Sequence, residues 1–166
     1  MKLTLVVPCF NESKRWDEKY WRSLIVDLGM NLIFVDDGST DGTAEVITSS
    51  LRGLPHRLVV LPVNVGKANA VRSGFMTIED AESGPVGFLD ADGAFPLQEV
   101  QRQWSEYQER NNDLNVDWSQ WSSRVALAGR DIRRDARRHY FARVAVTYLS
   151  VAHKIRIYDP QSGMKI

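Results

Sequence analysis

The sequence predicts an α/β fold: a Rossmann-like, mostly parallel sheet flanked by helices. Three observations carry that expectation. Short apolar runs alternate with longer amphipathic stretches, the pattern of strands joined by crossover helices. Polar clusters rich in Asp, Asn and Gly follow the apolar runs. No window approaches the ~20 apolar residues that a spanning helix needs, so the 166 residues read as one globular domain, 1–166.

The elements follow in order. The first apolar run, residues 3–7, is preceded by a single lysine and closed by Pro8, too short for a signal peptide and better read as a strand. Residues 18–28 predict a helix, and 32–35 a second strand. A second helix is expected over 43–51 with Asp41 as its N-cap. Residues 58–61 predict a third strand and 67–78 a third helix. Val86–Leu89 predicts the fourth strand, and Leu97, Val100, Trp104 and Tyr107 recur at helical spacing after it. The polar stretch 111–123, with two tryptophans, reads as a long loop. A fifth strand is expected over 125–128 and a long helix over 135–153, with Tyr140, Val144, Tyr148 and Val151 on one core-facing stripe.

Composition removes several classes of function. Lys+Arg and Asp+Glu balance at 21 each, which argues against nucleic-acid binding and against a membrane-surface peptide. The single cysteine, Cys9, cannot form an internal disulfide, which fits a reducing, cytoplasmic compartment.

In an open parallel sheet the carboxyl ends of the strands share one rim, where such folds bind ligands. The polar clusters fall there, so Asn11, Glu12, Asp36, Asp37, Asn64, Lys67, Asp90 and Asp92 are expected to converge. The segment "GFLDADGAF" (87–95) runs an apolar strand into two aspartates one residue apart. Two carboxylates held ~4 Å apart repel by about 4 kcal/mol at an effective dielectric near 20. Many acids beside one lysine suggest a phosphate-bearing ligand that arrives with a divalent cation, and hard oxygen ligands favour Mg²⁺ or Mn²⁺.

Each loop has competing readings. "FVDDGSTDGT" (34–43) fits the start of a calcium loop, but Thr48 stands where the closing glutamate belongs. "NVGKANA" has Gly66-Lys67 but Leu61 in place of the first glycine of a phosphate-binding loop, and no Ser or Thr after the lysine. "LDADGAF" is similar to a haloacid-dehalogenase nucleophile motif, except that it closes the fourth strand and Ala94 follows.

Taken together, "VVPCFNES", "FVDDGSTDGT", "NVGKANAVRSG", "GFLDADGAF", "LAGR" and "YDPQSGMK" resemble, in order and spacing, the family 2 glycosyltransferases of GT-A fold, closest to the dolichyl- and polyprenyl-phosphate sugar synthases. The resemblance spans residues 3–166. It implies a nucleotide-sugar donor, a UDP- or GDP-sugar, in a site lined by Pro8, Asn11 and Glu12. Asp36 or Asp37 would contact base or ribose, with Asn64 and Lys67 near the nucleotide. Asp90 and Asp92 would form the DxD pair, the second holding the metal that assists departure of the nucleoside diphosphate. The family inverts the anomeric centre. One departure is Ala94, where related enzymes often carry a metal-binding glutamine, so the metal would keep more water or bind more weakly.

The remaining motifs concern the acceptor. "GRDIRRDARRH" (129–139) gathers Arg130, Arg133, Arg134, Arg137 and Arg138, either as a solvated basic face or as an anion clamp, since arginine binds phosphate bidentately. The resemblance sets Arg130 against phosphate, and such a stretch would also favour peripheral contact with an anionic membrane. "YDPQSGMK" is similar to the Asp-Pro-x-Ser-Gly-Phe-Arg pattern of the lipid-phosphate enzymes, which puts Asp159 near the acceptor. A saccharide hydroxyl would need a general base there; a lipid phosphate, already ionised, would need only orientation. Members of the family usually continue past this motif, so the acceptor side is expected to be incomplete. The rivals are transfer to a saccharide hydroxyl and a non-catalytic nucleotide-binding module.

Overall fold

The structure, a computed structural model, describes residues 2–79, 84–114 and 164–165. The order is β1 (Thr4–Cys9), α1 (Glu18–Val26), β2 (Asn31–Asp36), α2 (Thr43–Ser50), β3 (Arg57–Val60), α3 (Lys67–Phe75), β4 (Val86–Leu89), α4 (Leu97–Leu114) and β5 (Met164–Lys165). The sheet order is β3-β2-β1-β4-β5. The first four strands are parallel, and β5 pairs antiparallel with β4, Leu89 opposite Met164. β5 is therefore entered at the end where β4 delivers Asp90. The strand and helix expected over 125–128 and 135–153 lie outside the described residues, as do Arg130 and Asp159.

Both faces of the sheet are covered, which explains the near-continuous apolar strands. Leu3, just before β1, and Leu5, Val7 and Cys9 on it face a core shared with Trp21, Leu24 and Ile25 of α1, Ile47 of α2 and Val100 of α4. Val6 points the other way, onto Ile33, Val35 and Ala70 of α3. Helix α3 lies close to the sheet because Gly74 has no side chain: a Cβ there would fall on Val6 Cγ1 and 2.9 Å from Val35 Cγ2. Trp16, Trp21 and Phe34 pack ring to ring at 5.3–5.4 Å.

Several boundaries differ from expectation: β1 runs through Pro8 to Cys9, α1 stops at Val26, and β2 and β3 differ by a residue at each end; three differences have a local physical reason. Helix α2 has Gly42, at φ 86°, as its N-cap, and Asp41 lies one residue outside, although its Oδ1 still accepts from Thr43 N at 3.1 Å. The backbone turns out of the helix at Asp41-Gly42, which moves the side-chain acceptor one position back. Helix α3 stops at Phe75, where the Thr77 hydroxyl donates to Gly74 O at 2.8 Å and competes with the helical ladder. Residues 111–114 extend α4 and are not loop. Its middle is laced by Arg102, which pairs with Glu99 at 2.6 Å and with Glu106 one turn on, a stabilisation by local ion pairs that apolar periodicity does not register.

Candidate functional site

Parallel strands bring the loops after β1, β2, β3 and β4 to one rim, and the eight polar residues named from the first four clusters all lie on it. Pro8 lies in β1 beyond its last pair with β4, Val6 opposite Phe88, where a missing N–H is tolerated. The loops after β1 and β2 are tied to each other. Asn11, at φ 55°, donates its N–H to Ser39 Oγ at 2.9 Å and accepts on Oδ1 from Thr40 N at 3.0 Å. Glu12 N donates to Thr43 Oγ1 at 2.9 Å. Ser13 donates to Asp41 Oδ2 through N at 3.0 Å and through Oγ at 2.7 Å. With the Thr43 hydroxyl and the Ser13 donors on it, the exposed Asp41 carboxyl is held down at about 2.

The second tie joins the loops after β2 and β3. Asp37 is buried, and its two oxygens accept from Val65 N at 2.8 Å and Gly66 N at 2.9 Å. Asn64 Oδ1 takes a second share of Gly66 N at 3.1 Å. Gly38, at φ 69°, is pressed against this loop: a Cβ would stand 2.6 Å from Val63 C and 2.7 Å from Asn64 N. Asp36 accepts from Ser39 N at 2.9 Å and is buried beside Glu12 and Cys9. Burial, then the Glu12 and Asp36 charges, push the Cys9 thiol well up, so it behaves as an inert core group. Glu12 is also buried; Arg15 Nη2 lies 2.6 Å from its Oε1, and its Oε2 has no hydrogen-bond partner among the described residues.

The loop after β4 is different. Asp92 is exposed, and one of its oxygens accepts from Ala94 N at 3.0 Å. Asp90 is half-buried, with the ammonium of Lys67 at 2.5 Å from Oδ1. Burial raises the Asp90 carboxyl, Lys67 lowers it and the Asp92 charge raises it again, the net direction being up. Tyr20, in the first turn of α1, is pushed up to about 12 by burial and by the charges of Asp92 and Asp17. Its hydroxyl is buried without a hydrogen-bond partner among the described residues. Tyr20, Ser13, Ser39, Asp41 and Thr43 were not expected at the site. The "DGST" and "NES" runs signal turns, but which loop a serine or threonine will bind is a tertiary fact.

Among the described residues no cluster of three or more His, Cys, Asp or Glu could hold a metal ion. A pair of hard carboxylates suits a cation of the Mg²⁺ type, which takes one or two protein carboxylates and completes its shell with water and substrate phosphates. Asp90 and Asp92 are such a pair. No helix among the described residues is long and apolar enough to cross a membrane.

The parallel α/β sheet flanked by helices has the GT-A-type fold of solved glycosyltransferases, which it matches at TM-scores of 0.57 and 0.62. The Glycosyl transferase family 2 profile matches residues 4–157, and the chain belongs to that family. It is 28% identical to a dolichyl-phosphate beta-glucosyltransferase of Trichomonas vaginalis, over 98% of this chain and 50% of that protein. The chain spans half or less of the length of the curated relatives it matches. Two solved structures share the fold. One is a mannosyltransferase of Pyrobaculum calidifontis in complex with GDP-Man and Mn²⁺, with TM-score 0.57 and 22% identity over 73% of this chain and 34% of that one. The other is glucosyl-3-phosphoglycerate synthase of Mycobacterium tuberculosis in complex with Mn²⁺, UDP and glucosyl-3-phosphoglycerate, with TM-score 0.62 and 21% identity over 99% and 55%.

Proposed function

We propose that this domain binds a UDP- or GDP-sugar with Mg²⁺ or Mn²⁺ and carries out inverting transfer of the sugar to a polyprenyl or dolichyl phosphate. The observation that carries the reading is the meeting, on one rim, of the Asp90/Asp92 pair with Lys67 and with the loops that Asp37 and Asp41 hold. The relative that transfers to dolichyl phosphate and the solved complexes with nucleotide and Mn²⁺ support it.

In this reading Asp36 or Asp37 meets base or ribose, and Pro8, Asn11, Glu12 and Asn64 line the nucleotide pocket. The buried Glu12 Oε2, lacking a hydrogen-bond partner among the described residues, suits a ligand donor. Asp37, with both oxygens already accepting backbone N–H, acts chiefly by shaping the pocket wall, which leaves Asp36 the better contact. Asp90 and Asp92 hold the cation, which when bound supplies Lewis-acid assistance to the leaving diphosphate. Lys67 adds positive charge beside the phosphates. Arg130 holds the acceptor phosphate and Asp159 orients it, so the acceptor oxygen attacks the anomeric carbon from the side opposite the diphosphate. Such an acceptor would bring the protein to the cytoplasmic face of a membrane.

The test is calorimetry of UDP and GDP with and without Mn²⁺. One nucleotide is expected to bind about tenfold or more tightly with the metal, a coupling of ordinary size. Asp92→Ala is expected to remove that dependence. Unchanged affinities in the variant would sink the assignment. Transfer to a saccharide in preference to a short polyprenyl phosphate would move the reading to a polysaccharide enzyme, and metal-dependent binding without turnover to a nucleotide-binding module.

A further inference from the structure

Lys67 is placed where its helix does not want it. It is the first residue of α3, with the N-cap Gly66 supplying no side-chain cap and no acid in the first turn. A cation at a helix N-terminus opposes the macrodipole. Its ammonium crosses instead to β4, 2.5 Å from Asp90 Oδ1 and 5.3 Å from the centroid of the Phe88 ring. Asp90 Oδ1 is itself buried under the contact, but the Lys67 side chain is 53% exposed, so the ammonium has solvent to swing into and its departure uncovers that oxygen.

We infer that Lys67 is an internal counter-ion that occupies the first aspartate of the Asp90/Asp92 pair until a nucleoside diphosphate draws it away, so that divalent cation and nucleotide bind together better than either binds alone. The inference rests on the donor-site reading above. A divalent cation on Asp90 Oδ1 would lie ~2.1 Å from that oxygen, too close to an ammonium on the same atom for both to stay. The cation alone must displace Lys67 and leave it without its carboxylate. A diphosphate supplies the replacement: its oxygens accept the ammonium as Asp90 turns to the metal. Lys67 thus disfavours the cation by itself and favours the cation with nucleotide, a reciprocal coupling between the two ligands.

The test titrates Mn²⁺ alone, followed by the paramagnetic resonance of the free ion, then UDP and GDP with and without Mn²⁺ by calorimetry. The proteins are wild type, Lys67→Met, Lys67→Arg and Asp92→Ala. Lys67→Met is expected to bind Mn²⁺ alone about fivefold more tightly, the upper range for a partly exposed ion pair. Its gain of nucleotide affinity from Mn²⁺ is expected to shrink by a similar factor. Lys67→Arg keeps the charge and is expected to hold Mn²⁺ as weakly as wild type. If nucleotide binding depends on Mn²⁺ and Asp92 while Lys67→Met leaves the Mn²⁺ affinity unchanged or weaker, the counter-ion role is overturned and the donor site stands. If Asp92→Ala changes nothing, the donor-site reading falls and this inference with it.

Discussion

The loops that leave β1 and β2 and the loop that leaves β4 share one rim, and both carry carboxylates, yet they use them differently. Asp37 spends both oxygens on the N–H groups of Val65 and Gly66, and Asp41 spends both on Ser13 and Thr43. Among the described residues Asp92 has one internal bond, to the next loop residue but one, and Asp90 has a lysine that water can reach. The first pair ties loops that lie 28 or more residues apart in sequence into a wall. The second pair is held in place and still open to a ligand. Carboxylates at strand ends are therefore of two kinds, and what separates them is which donors their oxygens already have.

The largest expected effect would break the wall itself. Gly38→Ala puts a Cβ within 2.6–2.9 Å of Val63 and Asn64 backbone atoms at a φ of 69°. Backbone cannot yield as a side-chain tip can, so a loss on the order of 3 kcal/mol is expected, overlap adding to left-handed strain. Gly53→Ala is the control: φ is 80° but nothing lies within 4 Å, so about 1–2 kcal/mol of strain alone is expected. Urea denaturation of the two variants measures the difference, and equal losses would mean that the contact between the two loops contributes nothing.

A smaller effect would sharpen the contrast between carboxylates. Asp37→Ala leaves two backbone N–H groups without their acceptor, and a cost of about 1–3 kcal/mol is expected because water reaches part of that loop. Asp92→Ala, on an exposed side chain with one local bond, is expected to stay within about 0.5 kcal/mol of wild type. Comparable melting losses for the two would erase the distinction.

Much of this was legible in the sequence, for a physical reason. Strands buried on both faces write themselves as apolar runs, and Val86–Leu89 falls where it was expected. Parallel connection then puts every strand end on one rim, so the site's membership follows from topology before any side chain is placed. The division of labour on the rim did not follow. Asp41 reads as a helix cap from spacing, while its second oxygen is taken by Ser13, 28 residues away. Tyr20 falls inside the helix expected over 18–28; that its hydroxyl is buried and feels the charge of Asp92 depends on how α1 packs over the sheet. Pairings between loops leave no periodicity to read.

The smallest effect concerns Asp41 and can be isolated by pH. Its carboxyl titrates at about 2 in the folded protein, lowered first by the Thr43 hydroxyl and then by Ser13; in an unfolded chain an aspartate titrates near ~3.9. A depressed folded value means the ionised form is favoured by folding. The stabilisation is fully present above the unfolded value and is lost as pH falls from about 4 through about 2. Asp41→Asn keeps an oxygen acceptor but has no charge to lose. The difference in urea midpoint between wild type and Asp41→Asn is therefore expected to be constant from pH 7 to about 5 and to narrow below about 4, with wild type the more stable at neutral pH. A flat difference for Asp41 down to pH 2 would show that the Ser13 and Thr43 bonds do not need the charge, and the tie between the two loops would then owe nothing to ionisation.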